Sequence, residues 1–238
     1  MNFPDSWLFF DKIYCISIKD RIDRRQQAKK ELARVGLLER VEFVIVEKHP
    51  GNPEQGIFES HIHCVNKGVS SGGNHILIFE DDVFFRGFKA GVLREACLYL
   101  ESRVNWGVFF LGCISSGSAP TESKSVVRVK YRCLAHAYAV NRPFAERLGR
   151  QSWRGIPFDD LLRQYNNDFF ALYPMIAFQG RAGTDNRTVA IDRMRRLFGG
   201  LPFIQKSNEY FYNHKLFIIS THLLFFMLLT ALTLKFLN

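Results

Sequence analysis

The sequence predicts an α/β fold: a mostly parallel, doubly wound sheet with helices on both faces. Three observations predict it. Runs rich in β-branched and aromatic residues alternate with charged helical stretches over most of the chain. The run His75-Ile76-Leu77-Ile78-Phe79 is apolar on both faces, as a central strand of such a sheet is. That run ends in three consecutive carboxylates, Glu80-Asp81-Asp82, and open α/β sheets bind their ligands at the carboxyl ends of their strands.

The elements follow in order. Lys12 to Ile18 reads as the first strand and feeds a charged helix from Asp23 to Val35, stopped by Gly36. Val41 to Val46 is the next strand, and His49-Pro50-Gly51-Asn52-Pro53 is turn chemistry. A helix broken by Gly56 is expected over Glu54 to Lys67, before the acidic strand. Phe88 to Leu100 fits a helix, Gly107 to Cys113 a strand, and Ser115 to Ser125 a polar loop. Val126 to Tyr131 alternates as a half-exposed strand, and Ala135 to Val140 is expected to extend it before Pro143 opens a helix through Leu148. Phe158 to Tyr165 reads as a short helix, and Phe169 to Phe178 as a late strand interrupted by Pro174. No clear period marks Gln179 to Gln205.

With 238 residues, 47% of them hydrophobic and 23 of them Phe, the chain fits one domain, or one domain with an appendage, and can bury a sizeable core. Lys and Arg outnumber Asp and Glu by 32 to 23, which favours anionic partners without choosing among them. Basic and aromatic residues are not interleaved as in nucleic-acid modules, so no nucleic-acid partner is expected. The five Cys are scattered, without a close Cys-x-x-Cys pair, and Met1 to Phe10 has no signal-peptide pattern, so a reducing cytosolic compartment is expected. His61, His63 and Cys64 have no partner pair at zinc-finger spacing.

The C-terminus differs from the rest. From Leu216 to Leu234 the only strongly polar side chain is His222, and the stretch is about the twenty residues a bilayer crossing needs. Lys215 and Lys235 flank it, and Arg193, Arg195, Arg196 and Lys206 precede it, which under the positive-inside tendency puts the body on the cytoplasmic side. The chain is therefore expected to be membrane-associated through this segment as a tail anchor, the alternatives being a helix lying in the interface or a core helix. The division expected is residues 1–205 as the catalytic domain and 206–238 as a basic linker and membrane helix.

Three like charges at the end of a buried strand repel, and a divalent cation or several basic groups must neutralise them. Oxygen-only ligands suit Mg²⁺ or Mn²⁺, which also hold a diphosphate. By the two-residue alternation of a strand, Glu80 and Asp82 face the metal while Asp81 points the other way. A solvated acidic turn is the alternative. Where the first strand gives way to its helix, Lys19-Asp20-Arg21-Ile22-Asp23-Arg24-Arg25 offers backbone N–H groups and guanidinium forks that can hold phosphate.

The chain resembles glycosyltransferase family 25, the lipopolysaccharide glycosyltransferase and collagen galactosyltransferase group. Ile16 to Arg25 resembles that family's INLDRRPDRR opening, Gly56-Ile57-Phe58-Glu59-Ser60-His61 its Gly-x-x-x-Ser-His segment, and Leu77 to Val83 its LILEDDV motif. Ala137 to Ala145 is similar to YLISKKGA, Pro157-Phe158-Asp159-Asp160-Leu161-Leu162 to PVDDFL, and Tyr173 to Gln179 to YPxIAxQ. The matches keep the family's order from about Lys12 to Asp185. Lys19-Asp20 departs from the usual Asp-Arg, Glu59 replaces an apolar residue, and the apolar C-terminus has no counterpart.

The resemblance implies a GT-A fold, a UDP-hexose donor, a divalent metal and transfer with inversion to a lipooligosaccharide or other glycan or glycolipid acceptor. Carried onto this chain, it implies Glu80 and Asp82 at the metal, with Ser17, Arg21, Arg24, Ser60, His61 and Asp81 at the nucleotide sugar. Asp159 and Asp160 are the candidates for the base that inversion requires, or are N-terminal helix caps. His61 either touches the donor phosphates or satisfies a core hydrogen bond; His136 has the same two readings, and Asp185 lies in good turn chemistry. Two other functions fit the residues. One is another Mg²⁺-dependent phosphate or nucleotide enzyme, although no Gly-x-x-x-x-Gly-Lys-Ser/Thr loop is present. The other is a non-catalytic membrane-tethered adaptor that keeps the fold.

Overall fold

The computed structural model describes residues 6–103, 105–165, 168–180 and 200–237. The expected turn around Asp185 and the basic residues Arg193, Arg195 and Arg196 lie outside the described residues. Strands are β1 (Lys12–Ile18), β2 (Glu42–Val46), β3 (His75–Glu80), β4 (Val83–Phe85), β5 (Val108–Phe110), β6 (Ile114–Pro120), β7 (Val126–Cys133), β8 (Ala137–Asn141), β9 (Phe169–Leu172) and β10 (Ala177–Gln179). Helices are α1 (Ile22–Arg34), α2 (Pro53–Ser70), α3 (Ala90–Glu101), α4 (Arg142–Gly149), α5 (Phe158–Tyr165) and α6 (Gly200–Leu237).

Eight strands form one sheet in the order β2-β1-β3-β8-β5-β9-β7-β6. β8 and β7 run against the rest, so six of the eight strands share a direction and the sheet is mostly parallel, as expected. The alternation of β3 explains the two layers of helices. Leu77 and Phe79 point into a core that includes Ala28 and Leu32 of α1 and Leu93 and Leu100 of α3. Ile76 and Ile78 point to the other face, against Phe58 and Val65 of α2, Phe144 of α4 and Leu162 of α5. Both faces of β3 are covered, and its apolar side chains from Ile76 to Phe79 are fully buried.

Several expectations need correction. Gly56 does not break α2: Asn52 accepts from the Glu54 and Gln55 amides at 3.0 and 3.4 Å, Pro53 opens the helix, and a side chain at Gly56 would meet His49 Cβ at 2.8 Å. The glycine therefore lets the preceding loop pack on the helix. Ala135–Val140 does not extend β7. Leu134 takes φ 75°, the chain turns, and β8 inserts between β3 and β5.

The segment 169–178 is two strands. β9 belongs to the large sheet, whereas β10 pairs antiparallel with β4 in a separate two-stranded sheet, and Pro174 lies where the chain changes sheets. The polar loop expected at Ser115–Ser125 largely forms β6, paired with β7 through a bulge. Its Ser and Gly residues are poor strand formers, but the free edge is capped by α6. Asn208 Oδ1 accepts from the Ser115 amide and Asn208 Nδ2 donates to the Ser115 carbonyl, each at 2.9 Å.

Residues 206–214, expected as a linker, are the docked half of α6, which runs unbroken across the expected 205/206 boundary. Beyond Lys215 the side chains from Leu216 to Leu229 and Leu232 are largely exposed. Gly200–Thr230 is, among the described residues, one stretch long and apolar enough to cross a membrane.

Close packing between the two sheets depends on Gly112, where a Cβ would stand 1.8 Å from the Ala177 carbonyl oxygen. Gly112→Ala is expected to destabilise the fold by about 3 kcal/mol in urea unfolding, the upper end of overpacking costs, because backbone rather than a side-chain tip blocks the methyl. Gly91→Ala, in α3 with nothing within 4 Å, is the control and should leave stability unchanged or raise it by up to about 1 kcal/mol.

Candidate active site

β3 ends at Glu80, and Asp81 and Asp82 form the turn into β4. The two-residue alternation stops with the strand, so Asp81 does not point away from Asp82 as expected, while the Glu80 charge still acts on Asp82. Glu80 Oε1 lies 3.3 Å from His61 Nε2. Asp81 and Asp82 turn together onto Arg24: its Nε stands 3.2 Å from Asp81 Oδ1 and its Nη2 donates to Asp82 Oδ2.

α1 supplies Arg24 in its first turn, at the carboxyl end of β1, whose Ile16 pairs with Glu80. Arg25 Nη1 donates to Ser17 Oγ at 3.2 Å, and the Ser17 hydroxyl in turn bonds Asp81. Arg21 pairs with the exposed Asp23 and lies close enough to favour ionised Asp81. Ser17, Arg21, Arg24, Asp81 and Asp82 are thus brought together as the sequence suggested. Ser60 is not brought in, since its hydroxyl donates to the Gly56 carbonyl of its own helix at 2.6 Å.

His61 is buried at 1% exposure, stacked on Phe158 at 4.3 Å between centroids, with Nδ1 3.0 Å from the Tyr138 hydroxyl. Of the two readings of this histidine the structure shows the core hydrogen bond, with the other ring nitrogen facing Glu80. His136 is wholly buried, and burial pushes its pKa down against the pull of Glu80.

Asp159 and Asp160 open α5. Asp159 accepts from the Tyr131 hydroxyl and from the Leu134 and Ala135 amides at 3.1 and 3.3 Å, so it fastens the turn that sends β8 into the sheet. Burial raises its pKa, and those donors oppose the shift. Asp160 is 42% exposed at the side chain and bonds Arg163.

Gln179, quoted above in its motif but given no role, donates from Nε2 to Asp82 Oδ2 at 3.1 Å. Its place as the last residue of the Tyr173–Gln179 motif was the available signal. The next residue, Gly180, donates to the Asp82 carbonyl at 2.7 Å, and a Cβ there would stand 2.8 Å from that oxygen.

Electrostatics separate the acids. Burial works to raise Glu80, but the hydrogen bond and charge of His61, helped by His136 and Arg24, hold it below the ordinary carboxylate value. Burial followed by the charge of Glu80 pushes Asp82 up to about 7, with Arg24 opposing. Asp81 is also raised, again chiefly by burial.

The donor set fits a hard divalent ion. Asp82 Oδ1 is buried and has no hydrogen-bond partner among the described residues, and Glu80 is 27% exposed at its side chain. Among the described residues no three His, Cys, Asp or Glu side chains form a metal cage, so an ion held here would take one or two carboxylates and need further oxygens from substrate and water.

No protein-family model matches this sequence, and no curated protein does. Among solved structures, A197 from STIV is similar with a TM-score of 0.47 at 11% identity, over 70% of this chain and 83% of that one. A mannose-1-phosphate geranyltransferase from Thermus thermophilus is similar at 0.41 and 10% identity, over 68% and 73%. A glycosyltransferase involved in the glycosylation of the major capsid of PBCV-1 is similar at 0.41 and 11%, over 67% and 81%.

Removing Arg24 leaves two buried carboxylates without their bridging cation. Arg24→Gln is expected to destabilise the metal-free protein by about 3–5 kcal/mol at pH 7, the cost of breaking a buried ion pair from one side, read by denaturant unfolding. A pH series gives a second check. The folded pKa of Asp82, about 7, lies above its unfolded value, so folding takes up a proton there. Its contribution to stability is complete below about pH 4 and is lost as pH rises toward 7. In metal-free buffer Asp82→Asn should flatten stability over that window; an unchanged slope would assign the proton uptake elsewhere.

Proposed function

We propose that this protein is a glycosyltransferase of the GT-A kind, resembling family 25, that moves a hexose, galactose or glucose, from a UDP-sugar to a glycan or glycolipid acceptor with inversion. The observation that carries the reading is the convergence of five separated motifs at one sheet edge. Arg24 comes from the first motif, His61 from the second, Glu80 to Asp82 from the third, Asp159 from the helix α5 motif and Gln179 from the last. A single acidic turn does not need the other four; a nucleotide-diphosphate site does.

In this reading Arg21 and Arg24 meet the donor phosphates, and Ser17 and Asp81 hold the first loop in register with the acidic turn. Glu80 and Asp82 are the residues that would hold Mn²⁺ or Mg²⁺, with Gln179 fixing the Asp82 carboxylate and His61 fixing Glu80. Such an ion supplies Lewis-acid stabilisation of the charge that grows on the leaving nucleotide. Inversion asks for one proton acceptor on the opposite face of the sugar from the leaving group. Asp159 is committed to three donors and Asp160 to Arg163 alone, so Asp160, partly exposed at the start of α5, is the freer of the two candidate bases. The apolar half of α6 tethers the body to a membrane, with the body on the cytoplasmic side.

One observation favours a second reading. Arg24 already pairs with both Asp81 and Asp82, as a non-catalytic nucleotide-binding adaptor would require. UDP release from UDP-galactose and UDP-glucose separates the two. The wild-type protein is expected to release UDP only with Mn²⁺ or Mg²⁺ present, and Asp82→Ala to lower that rate by about 100-fold or more. Equal rates in the two proteins would remove the metal assignment, and binding of UDP with no turnover would favour the adaptor.

A further inference from the structure

We propose that α6 is a rigid strut that stands the carboxylate edge at a fixed height over a lipid bilayer, so that the site serves acceptor groups carried on amphiphiles seated in that bilayer. The proposal rests on the reading above of this edge as the reacting site.

α6 has two halves of opposite character on one unbroken helix. Its first half is fastened along its length. Gln205 Oε1 accepts from the Gln179 amide at 3.0 Å, and Gln205 is fully buried. Asn208 clasps Ser115, Glu209 accepts from the Met175 amide and pairs with Lys206, Asn213 Oδ1 accepts from the Ser118 hydroxyl at 2.7 Å, and His214 Nε2 lies 3.1 Å from the Tyr173 hydroxyl. Glu209 is only 6% exposed, so a carboxylate has been buried to make this joint. From Leu216 onward the helix leaves the body, and Leu216, Phe217, Phe225, Phe226 and Met227 are each at least 60% exposed. No soluble helix gains from that exposure; a bilayer covers it.

The joint begins at the site. Gln205 holds the Gln179 backbone, and the Gln179 side chain holds Asp82, so the start of the strut is two hydrogen bonds from the acidic turn. From Gln205 to Lys215 the helix advances about 15 Å, where the exposed Tyr210 and Phe211 and the cation of Lys215 suit the headgroup level. A helix fastened to the body through Gln205, Asn208, Glu209, Asn213 and His214 cannot swing freely, so this distance is a property of the fold. A small sugar free in solution gains nothing from a fixed height, whereas a lipid-borne acceptor is presented at the height its headgroup sets.

The test uses the full chain in vesicles of three parts phosphatidylcholine to one part phosphatidylglycerol, with labelled phosphatidylethanolamine as energy-transfer partner. The dye is placed by Asp20→Cys, an exposed residue at the same edge, in a Cys133→Ser background because the other four cysteines are buried. Seven helical residues inserted between His214 and Lys215 add about 10 Å and return the helix to nearly the same rotation. The site-to-surface distance is expected to grow by that amount while both proteins co-float with vesicles. An unchanged distance, or failure of the wild-type chain to co-float, overturns the strut. Thermal stabilisation of both proteins by UDP with Mn²⁺ is read separately: its absence removes the donor assignment and leaves the distance result standing.

Discussion

Three carboxylates at the end of a buried strand cannot all stay ionised without positive charge beside them, and the surroundings of β3 are arranged by that constraint. Arg24 reaches from α1 to bridge Asp81 and Asp82, and His61 reaches from α2 to Glu80. Gln179 and Gly180 come from a second small sheet to hold the Asp82 side chain and carbonyl. Even so, neutralisation is incomplete: Asp82 keeps a buried oxygen without a hydrogen bond among the described residues, and its proton affinity is raised. Incomplete neutralisation is what a binding edge needs, because a fully satisfied cluster has nothing left to offer a ligand.

The rest of the fold can be read as what delivers those groups to one edge. Alternation along β3 gives each face its own layer of helices, and both α1 and α2 start near the carboxyl ends of the parallel strands that precede them. Asp159 serves the same end indirectly. By holding the Leu134 and Ala135 amides it sets the turn into β8, the strand that carries Tyr138 to His61. α6 closes the other side, capping the β6 edge through Asn208 and supporting Gln179 through Gln205.

The parts of this arrangement governed by local chemistry were legible in the sequence. β1, β3 and α5 follow directly from apolar runs and helix-start carboxylates, and the acidic turn announced the site. What escaped depends on partners distant in the chain. β6 is strand because β7 and Asn208 pair with it, although Ser and Gly there favour a loop. Gly56 sits in a helix because it packs on His49, not because its propensity permits it. Asp81 was expected to point away from Asp82, but the strand ends at Glu80 and Arg24 then draws both carboxylates to itself. Asp159 looked like a base or a cap, and only the fold reveals that its oxygens serve a turn more than twenty residues away.

The proposed chemistry depends on the acidic turn binding a sugar nucleotide's diphosphate together with a hard cation. Titration calorimetry of the wild-type chain with UDP, once in Mn²⁺ and once in chelator, measures this directly. Saturable binding in Mn²⁺ that disappears with chelator is the predicted result; binding of equal strength in both conditions, or none in either, would contradict it.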